Sequence, residues 1–234
     1  MPNKNNVIFR DLGMISYKEA WDFQEELFKK SIQMKLDQSH SEKNEVNKVP
    51  NYLLFCEHPH VMTLGKSGSG NNLLINEDIL EKRGVEFFRI NRGGDITYHG
   101  PGQIVGYPII DLEQFGLGVK KYIEVLEQAI IKTLKHYGIK AGRLPEAIGV
   151  WLDPDHVLKA RKICAIGVRT SRHITMHGFA FNVNTDLCYY NLINPCGFTD
   201  KGVTSMEKEL GIKLEMDEVK AILKKSILDI LSGL

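Results

Sequence analysis

Cys196 is the residue of this sequence whose surroundings best suit a nucleophile. It lies in Asn194-Pro-Cys-Gly197, between a proline that fixes φ before it and a glycine that frees the chain after it. A thiol held in such a tight turn would lie near free backbone N–H groups that could stabilise an oxyanion. Cysteine is also commonly a small buried hydrophobic residue. That second interpretation suits the cysteines in or beside apolar strand sequence, which are Cys56, Cys164 and Cys188.

Lys162 begins an apolar, strand-like run that continues to Val168. A lysine in this place could be partly buried and available for proton transfer. The alternative is an edge lysine whose ammonium group remains in water, and the residue taken alone favours this alternative. A functional role for Lys162 therefore needs support from elsewhere in the chain.

The segment richest in special residues is Arg92-Gly-Gly-Asp-Ile-Thr-Tyr-His-Gly-Pro-Gly-Gln103. Its adjacent glycines, Gly93 and Gly94, allow the backbone to approach a ligand closely or to take a positive φ. Three polar side chains then stand next to a second glycine turn. A plain hairpin with bulges would also contain glycines, but it needs no arginine, aspartate and histidine beside them. The segment therefore indicates a binding site.

The familiar cofactor motifs are incomplete. Gly65-Lys-Ser67 lacks the first glycine of a phosphate-binding loop, whose position is occupied by His60. Gly100-Pro-Gly102 lacks the third glycine of the dinucleotide fingerprint, because Val105 stands there. His58 and His60 flank a proline, but no cysteine or carboxylate follows at the spacing of a structural zinc site. The sequence therefore predicts neither a metal ion nor a nucleotide cofactor.

Composition bounds the class of protein. The 234 residues carry 30 Lys and Arg against 29 Asp and Glu, a net charge of +1, which argues against a dedicated nucleic-acid binder. No apolar run approaches the roughly 18 residues of a membrane span, and the first residues do not resemble a signal peptide. We therefore expect a cytoplasmic protein without a membrane partner, in which the four cysteines are free thiols.

Helical patterns and strand-like runs alternate irregularly along the chain. Ser16 and Glu19 form the capping box of a first helix, whose pattern ends in a polar surface loop over residues 36–50. Short strands with fewer helices indicate an α/β or α+β fold, with one mixed sheet flanked by helices in a single domain over residues 1–234. Strands are predicted at Tyr52–Cys56, Val85–Ile90, Ile104–Asp111, Ile148–Leu152, Lys162–Val168 and Ile174–Asn182. Further helices are predicted from Asn76 to Gly84, over Tyr122–Tyr137 and from Asp217 onward.

The chain resembles the lipoyl(octanoyl) transferases of protein lipoylation, the lipoate-protein ligase B family. The block from Arg92 to Gln103 is the most specific match, and Asn194–Gly197 accompanies it. The other matching stretches, all in family order, are His58–Gly65, Lys162–Gly167 and His177–Asn182. The resemblance implies the fold of the biotin and lipoate ligase catalytic domain, a mixed sheet flanked by helices with a tunnel for an acyl chain.

The resemblance also implies residue roles. Cys196 matches the nucleophile that forms an acyl thioester, and Lys162 matches the lysine that favours its thiolate form. Fourteen positions match the walls of the acyl-binding site: Arg92, Gly93, Gly94, Asp95, Ile96, Thr97, Tyr98, His99, Ala165, Ile166, Gly167, Gly178, Phe179 and Ala180.

The implied reaction moves an octanoyl or lipoyl group between two proteins. The donor is octanoyl acyl carrier protein, and the acceptor is a lysine of the lipoyl domains in 2-oxoacid dehydrogenase E2 subunits or of the glycine cleavage H protein. We expect a monomer, although the sequence does not determine the oligomeric state. The reaction needs no cofactor, because neither acyl transfer from a thioester requires ATP. This would be the first step of endogenous protein lipoylation.

Other functions remain open from the sequence. An ATP-dependent lipoate or biotin ligase on the same fold would activate a free acid as an adenylate, and it needs no nucleophilic cysteine. A related enzyme would move octanoyl between two lipoyl domains. A protein that binds acyl chains or acyl carriers without turnover would have no use for Cys196 and Lys162 together. The acyl chain length, the acceptors used and the surface that binds the carrier are not determined.

Overall fold

The computed structural model describes residues 7–39, 48–145, 147–156, 158–194 and 201–234. The strands within these residues are β1 (Val7–Met14), β2 (Asn51–Glu57), β3 (Val61–Leu64), β4 (Glu86–Arg89), β5 (Ile96–His99), β6 (Gln103–Ile109), β7 (Gly142–Leu144), β8 (Ala147–Leu152), β9 (Arg161–Ser171), β10 (Ile174–Asn182) and β11 (Gly202–Val203). The α-helices are α1 (Tyr17–Ser39), α2 (Glu77–Lys82), α3 (Val119–His136), α4 (Met206–Leu210) and α5 (Met216–Ser232). Short 3-10 helices occupy Gly70–Asn72, Leu112–Phe115 and Leu187–Leu192.

Eight of these strands form one mixed sheet in the order β1-β2-β6-β10-β9-β8-β7, with β11 also paired to β9. The β1–β2 and β11–β9 pairs are parallel, and the other neighbours are antiparallel. β11 pairs with Arg161 and Lys162, ahead of the stretch of β9 that pairs with β10. The predicted mixed sheet is therefore confirmed. A second sheet of β4, β3 and β5 lies beside it and was not predicted as a separate unit.

Helices cover both faces of the large sheet. Successive residues of β2 divide between the two faces, as the pleat requires, so that Leu53 joins one apolar cluster and Leu54 the other. The cluster that contains Leu54 includes Ala20 and Phe28 of α1. The cluster that contains Leu53 includes buried residues of α3 and α5. Both faces are thus buried, which explains why the central strands are apolar throughout.

The local signals for helix ends are confirmed. Ser16 Oγ donates to Glu19 Oε2 at 2.7 Å and accepts from the Glu19 backbone N–H at 3.3 Å, which is the expected capping box. Asn76 caps α2 by accepting from the N–H of Ile79 at 2.9 Å. Gly138, with φ of +74°, follows the end of α3 as predicted.

The stretch predicted as a solvated helix end and polar loop begins inside α1, which continues through Ser39. Lys35 near the end of α1 forms ion pairs to Asp111 at 2.5 Å and to Glu113 at 2.8 Å. Residues 40–47 lie outside the described residues, and residues 48–50 follow them without regular structure.

Candidate active site

A cavity of about 540 Å³ lies against the large sheet, and the predicted wall residues line it. Thirteen of the fourteen predicted wall positions border this cavity, and so does Lys162. Segments far apart in the chain are thereby brought together: the end of β5 and the loop before it, the middle of β9, and the middle of β10. Its volume is within the range of about 300–1,000 Å³ that is usual for sites of small ligands.

Tyr98 is the predicted wall residue that does not border the cavity. Its side chain is fully buried, and the Tyr98 hydroxyl group is 2.7 Å from His60 Nδ1. Its ring stacks on the ring of Tyr189, with 4.9 Å between the centroids. Tyr98 therefore supports the wall from behind.

Small residues on neighbouring strands make room for the cavity. Ala165 of β9 lies opposite Ala180 of β10, and Gly167 lies opposite Gly178. These four residues border the cavity. Larger side chains at these paired positions would occupy the space over the two strands.

Gly167 also allows the loop before β5 to lie directly on β9. A Cβ at Gly167 would stand 2.6 Å from the carbonyl oxygen of Gly93, which is too close for any side chain. The backbone N–H of Gly93 donates to the carbonyl of Val168 at 3.0 Å. The glycine pair predicted to approach a ligand thus also approaches another strand.

Arg92 holds this loop to the second sheet. The side chain is buried, and Arg92 Nη2 donates to the carbonyl oxygen of Thr63 at 2.8 Å and to its hydroxyl at 3.0 Å. Arg92 Nη1 donates to the Gly93 carbonyl at 3.0 Å. The turn of residues 65–67 adds backbone hydrogen bonds to Arg92, Gly94 and Asp95. This turn, which carries the incomplete phosphate-loop motif, packs against the binding segment.

The cavity has a polar end built from histidines. His99 and His177 are both buried and both border the cavity. His99 Nδ1 is 2.8 Å from Gln103 Oε1, and His177 Nε2 is 3.1 Å from Asn91 Oδ1. Nδ1 of His177 has no hydrogen-bond partner within the described chain, and His177 adopts φ of +60° inside β10. This residue was not predicted as part of the site.

Burial keeps these histidines uncharged. It lowers the pKa of His99 to about 3, with the nearby His58 adding to the effect, and lowers the pKa of His177 to about 3, with Arg92 adding to it. Burial also lowers the pKa of His58, to about 4. His58 Nε2 lies 2.7 Å from the Tyr107 hydroxyl. The imidazoles are therefore neutral at physiological pH.

We expect these three depressed pKa values to make the protein less stable in mild acid. The unfolded chain binds protons on these histidines below pH 6.5, whereas the folded chain does not until about pH 4 to 3. Between pH 6.5 and the pKa in the folded protein, each histidine should therefore lower the free energy of unfolding by about 1 kcal/mol for every unit by which the pH falls. Urea unfolding between pH 7 and pH 4.5 measures this loss.

NMR titration of the imidazole C–H signals assigns the loss to particular residues. His58, His99 and His177 should show no titration down to pH 5. Constant stability from pH 7 to pH 4.5 would contradict the prediction.

Lys162 lies toward the opposite end of the cavity. It is six residues before Val168, the partner of His177, which corresponds to about 20 Å along a strand. The half-buried Lys162 side chain places Nζ 4.8 Å from the centre of the Trp151 ring. Trp151 is itself buried and donates to the Ala147 carbonyl at 2.9 Å. The Lys162 head group thus lies over an aromatic ring on a side chain that remains partly exposed, which leaves both interpretations of the lysine open.

Gly149 allows β8 to lie close against the backbone of β9 beside the Lys162 side chain. Gly149 adopts φ of +124°, and a Cβ there would stand 2.4 Å from the Cys164 carbonyl oxygen and 3.5 Å from Lys162 Cε. A register shift between β8 and β9 falls at the next residues, Val150 and Trp151. Glu127 accepts from the N–H of Gly149 at 3.1 Å and so anchors this point of β8 to α3.

Cys196 lies outside the described residues, but the chain on both sides of it borders the cavity region. On the earlier side, the N–H of Asn194 donates to the carbonyl of Asn72, whose side chain donates to Asp95 at 2.5 Å. On the later side, Val203 pairs with Lys162 and lines the cavity.

The other cysteines are poorly suited to nucleophilic attack. Burial raises the pKa of Cys56 and of Cys164 well above the ordinary value, and a hydrogen bond with Asp186 raises the pKa of Cys188. All three are free thiols, as predicted. The buried interpretation is confirmed for Cys56 and Cys164 but is wrong for Cys188, which is exposed.

A buried network of side-chain amides joins the two ends of the site. This network was not predicted from the sequence. Gln103 Nε2 donates to Asn182 Oδ1 at 2.9 Å, and Asn182 Nδ2 donates to the carbonyl of Thr204 at 3.0 Å. Tyr190, which lines the cavity with Asn182, places its hydroxyl 3.3 Å from Asn182 Oδ1. One sequence signal could have identified Gln103 and Asn182: each is the last residue of a stretch that matches the lipoyl(octanoyl) transferases.

The described residues contain no cluster of three His, Cys, Asp or Glu side chains that could hold a metal ion. No helix among these residues is long and apolar enough to cross a membrane.

Comparison with known proteins identifies the family. The model of the lipoyl protein ligase A/B catalytic domain matches residues 16–228. An octanoyltransferase of Parabacteroides distasonis is 54% identical over 222 residues, covering 95% of this chain and 97% of that protein. An octanoyltransferase of Cytophaga hutchinsonii is 51% identical over 222 residues, covering 95% of this chain and 91% of that one.

Solved structures agree on the fold. A bipartite lipoate protein ligase from Thermoplasma acidophilum superimposes with a TM-score of 0.66 at 15% identity, covering 97% of this chain and 83% of that one. The expected ligase-type fold is therefore confirmed. The chain belongs to the lipoyl protein ligase A/B catalytic domain family. Within that family it groups with the octanoyltransferases, which are acyltransferase enzymes.

Proposed function

We propose that this enzyme transfers an octanoyl group from acyl carrier protein to a lysine of a lipoyl domain, through a thioester on Cys196. The observation that carries the proposal is the cavity, which joins Lys162 at one end to walls of glycine, alanine and apolar side chains. An unbranched acyl chain needs such a narrow, largely apolar space. The similarity to octanoyltransferases supports the same reaction.

The first step forms the acyl-enzyme. The Cys196 thiolate attacks the thioester carbonyl of the donor, the carbon–sulfur bond to the carrier breaks, and the carrier thiolate leaves with the proton that the Lys162 ammonium group gives up. A nearby ammonium group at Lys162 favours the thiolate of Cys196. Backbone N–H groups near the thioester would stabilise the oxyanion that forms during attack.

The second step forms the amide. The amine of the acceptor lysine attacks the acyl-enzyme carbonyl, the new carbon–nitrogen bond forms, and Cys196 leaves as its thiolate. Lys162, which gave its proton to the carrier thiol in the first step, takes the proton that the attacking amine loses. Exchange between thioesters is nearly balanced and conversion of a thioester to an amide is downhill, so neither step consumes ATP.

The wall residues hold the acyl chain through shape. Ala165, Gly167, Gly178 and Ala180 provide space, and Ile166, Phe179 and Ile96 provide apolar contact. Arg92 and Tyr98 act by holding the wall in place, because their polar atoms contact the protein itself. We propose as acceptors the lipoyl domains of 2-oxoacid dehydrogenase E2 subunits and the glycine cleavage H protein. Partners of this kind place the enzyme in the cytoplasm.

The decisive experiment is to incubate the enzyme with octanoyl acyl carrier protein, without ATP and without acceptor, and to measure the intact mass. We expect one octanoyl adduct that hydroxylamine removes, as a thioester requires. Peptide mapping should locate the adduct on Cys196 and leave the other three cysteines unmodified. Addition of a lipoyl domain should then transfer the group to that domain.

Three outcomes would contradict all or part of the proposal. A folded enzyme that forms no adduct and leaves the donor unchanged would not be a carrier-dependent transferase. An octanoyl adenylate formed from ATP and free octanoate would identify an ATP-dependent ligase instead. A stable adduct that no lipoyl domain accepts would leave the acyl-enzyme established and contradict the proposed acceptor.

A further inference from the structure

One edge of the cavity combines exposed apolar side chains with positive charge. Val119 and Ile148 are 40% and 53% exposed, and both line the cavity. The described residues include nine exposed large hydrophobic side chains, and these two are the ones that border the cavity. Lys120 and Lys121 follow Val119 in the first turn of α3 and are both exposed. We call Val119, Lys120, Lys121 and Ile148 the α3 rim.

The positive charge at the α3 rim is concentrated. The pKa of Glu124 is lowered, first by its hydrogen bond with Lys121 at 3.0 Å and further by Lys120 and Arg143 nearby. Three cations therefore surround this one half-buried carboxylate. The first turn of α3 contains no acidic residue, and its free N–H groups add the positive end of the helix dipole. The charge of Lys120 and Lys121 thus adds to the positive end of the helix.

The α3 rim is also adjacent to the reactive end of the cavity. Ile148 immediately precedes Gly149, at which a Cβ would lie 3.5 Å from Lys162 Cε. Arg143 connects β7 to α3 by donating to the Glu124 carbonyl at 2.9 Å and to Glu127 at 2.8 Å. A protein bound at the α3 rim would thus have its acyl thioester within reach of Lys162.

We propose that the α3 rim is the docking surface for the acidic carrier protein that donates the acyl group. This inference rests on the proposed function and adds to it the surface that the donor uses. The donor carries its thioester on an arm with a phosphodiester, so negative charge enters the site with every acyl chain. Apolar contact with Val119 and Ile148, within a ring of lysines, fits a transient complex of this kind.

The test compares two donors in the first half-reaction. The variant Lys120→Glu/Lys121→Glu should form the acyl-enzyme from octanoyl carrier protein about 10-fold to 100-fold more slowly, because charge at a rim mainly changes the association rate. The same variant should react at the normal rate with octanoyl-pantetheine, which has no protein and no phosphate. Its rate with the carrier should also depend less on salt than that of the unaltered enzyme.

The matched control is Lys29→Glu/Lys30→Glu. These two lysines are exposed on α1, which covers the other face of the sheet, and the substitution changes the net charge by the same amount. This control should react with both donors at the normal rate. A loss that appears equally in the control would assign the effect to overall charge and contradict the proposal.

Three further outcomes would contradict it. Equal loss with both donors would place the lysines in catalysis or folding, and unchanged rates with both donors would exclude docking at this surface. If the variant is slower only in transferring the octanoyl group from the acyl-enzyme to a lipoyl domain, the α3 rim binds the acceptor and not the donor. If the unaltered enzyme forms no acyl-enzyme from either donor, the proposed function itself fails, which is a different result.

Discussion

Replacing Cys196 with serine should reduce octanoyl transfer at least about 1,000-fold without unfolding the protein, because removal of a covalent nucleophile costs far more than removal of a binding contact. A serine hydroxyl near neutral pH is almost entirely protonated, because a hydroxyl is a far weaker acid than a thiol. Single-turnover transfer to a lipoyl domain measures the loss. Circular dichroism and thermal unfolding report on the fold.

The matched control is Cys188→Ser. Cys188 is the exposed cysteine among the described residues, so the same chemical change is made where we propose no reaction. This variant should retain full activity. Full activity in Cys196→Ser, or loss in Cys188→Ser alone, would contradict the assignment of Cys196.

Replacing Lys162 with alanine should reduce transfer about 100-fold, which is the usual contribution of a group that moves a proton in the transition state. The alkylation of Cys196 by iodoacetamide should also require a higher pH in this variant, because the cation that favours the thiolate is gone. The pH dependence of alkylation in both proteins measures the second effect separately from turnover.

The variant Lys162→Arg separates the two roles of the lysine. A guanidinium group keeps the positive charge but cannot take a proton. Alkylation of Cys196 should therefore resemble that of the unaltered enzyme, whereas amide formation should stay slow. Lys159→Ala removes a nearby exposed lysine as a control and should change neither property. Identical alkylation profiles in Lys162→Ala and the unaltered enzyme would refute the electrostatic role.

Elements with a complete local signal could be predicted from sequence. α1, α2 and α3 begin or end at residues whose own side chains or backbones make the cap: Ser16, Asn76 and Gly138. The central strands β2, β6, β9 and β10 are long and apolar enough to be recognised alone.

The short strands β3, β5 and β11 could not be predicted from the sequence, because each is ordered by pairing with another strand. β3 and β5 have four residues each, and the pairing of Met62 with Tyr98 and of Thr63 with Thr97 makes them a sheet. β11 has two residues and exists through its hydrogen bonds to the start of β9. β1 alternates between half-buried and exposed residues at an edge beside β2, which is a weak pattern without that neighbour.

The sequence alone predicted which segments would carry the chemistry, because the residue types in the Arg92–Gln103 and Asn194–Gly197 motifs suit close approach to a ligand and nucleophilic attack. The tertiary structure alone decided which side chains face the cavity. Tyr98 lies behind the cavity wall, whereas His177, which was not predicted as a site residue, lies in that wall. Sheet pairing and burial decide this, because the side chains of consecutive strand residues lie on opposite faces of the sheet. The tertiary structure also placed the Lys162 head group over Trp151, a contact between strands that arises when β8 and β9 pair.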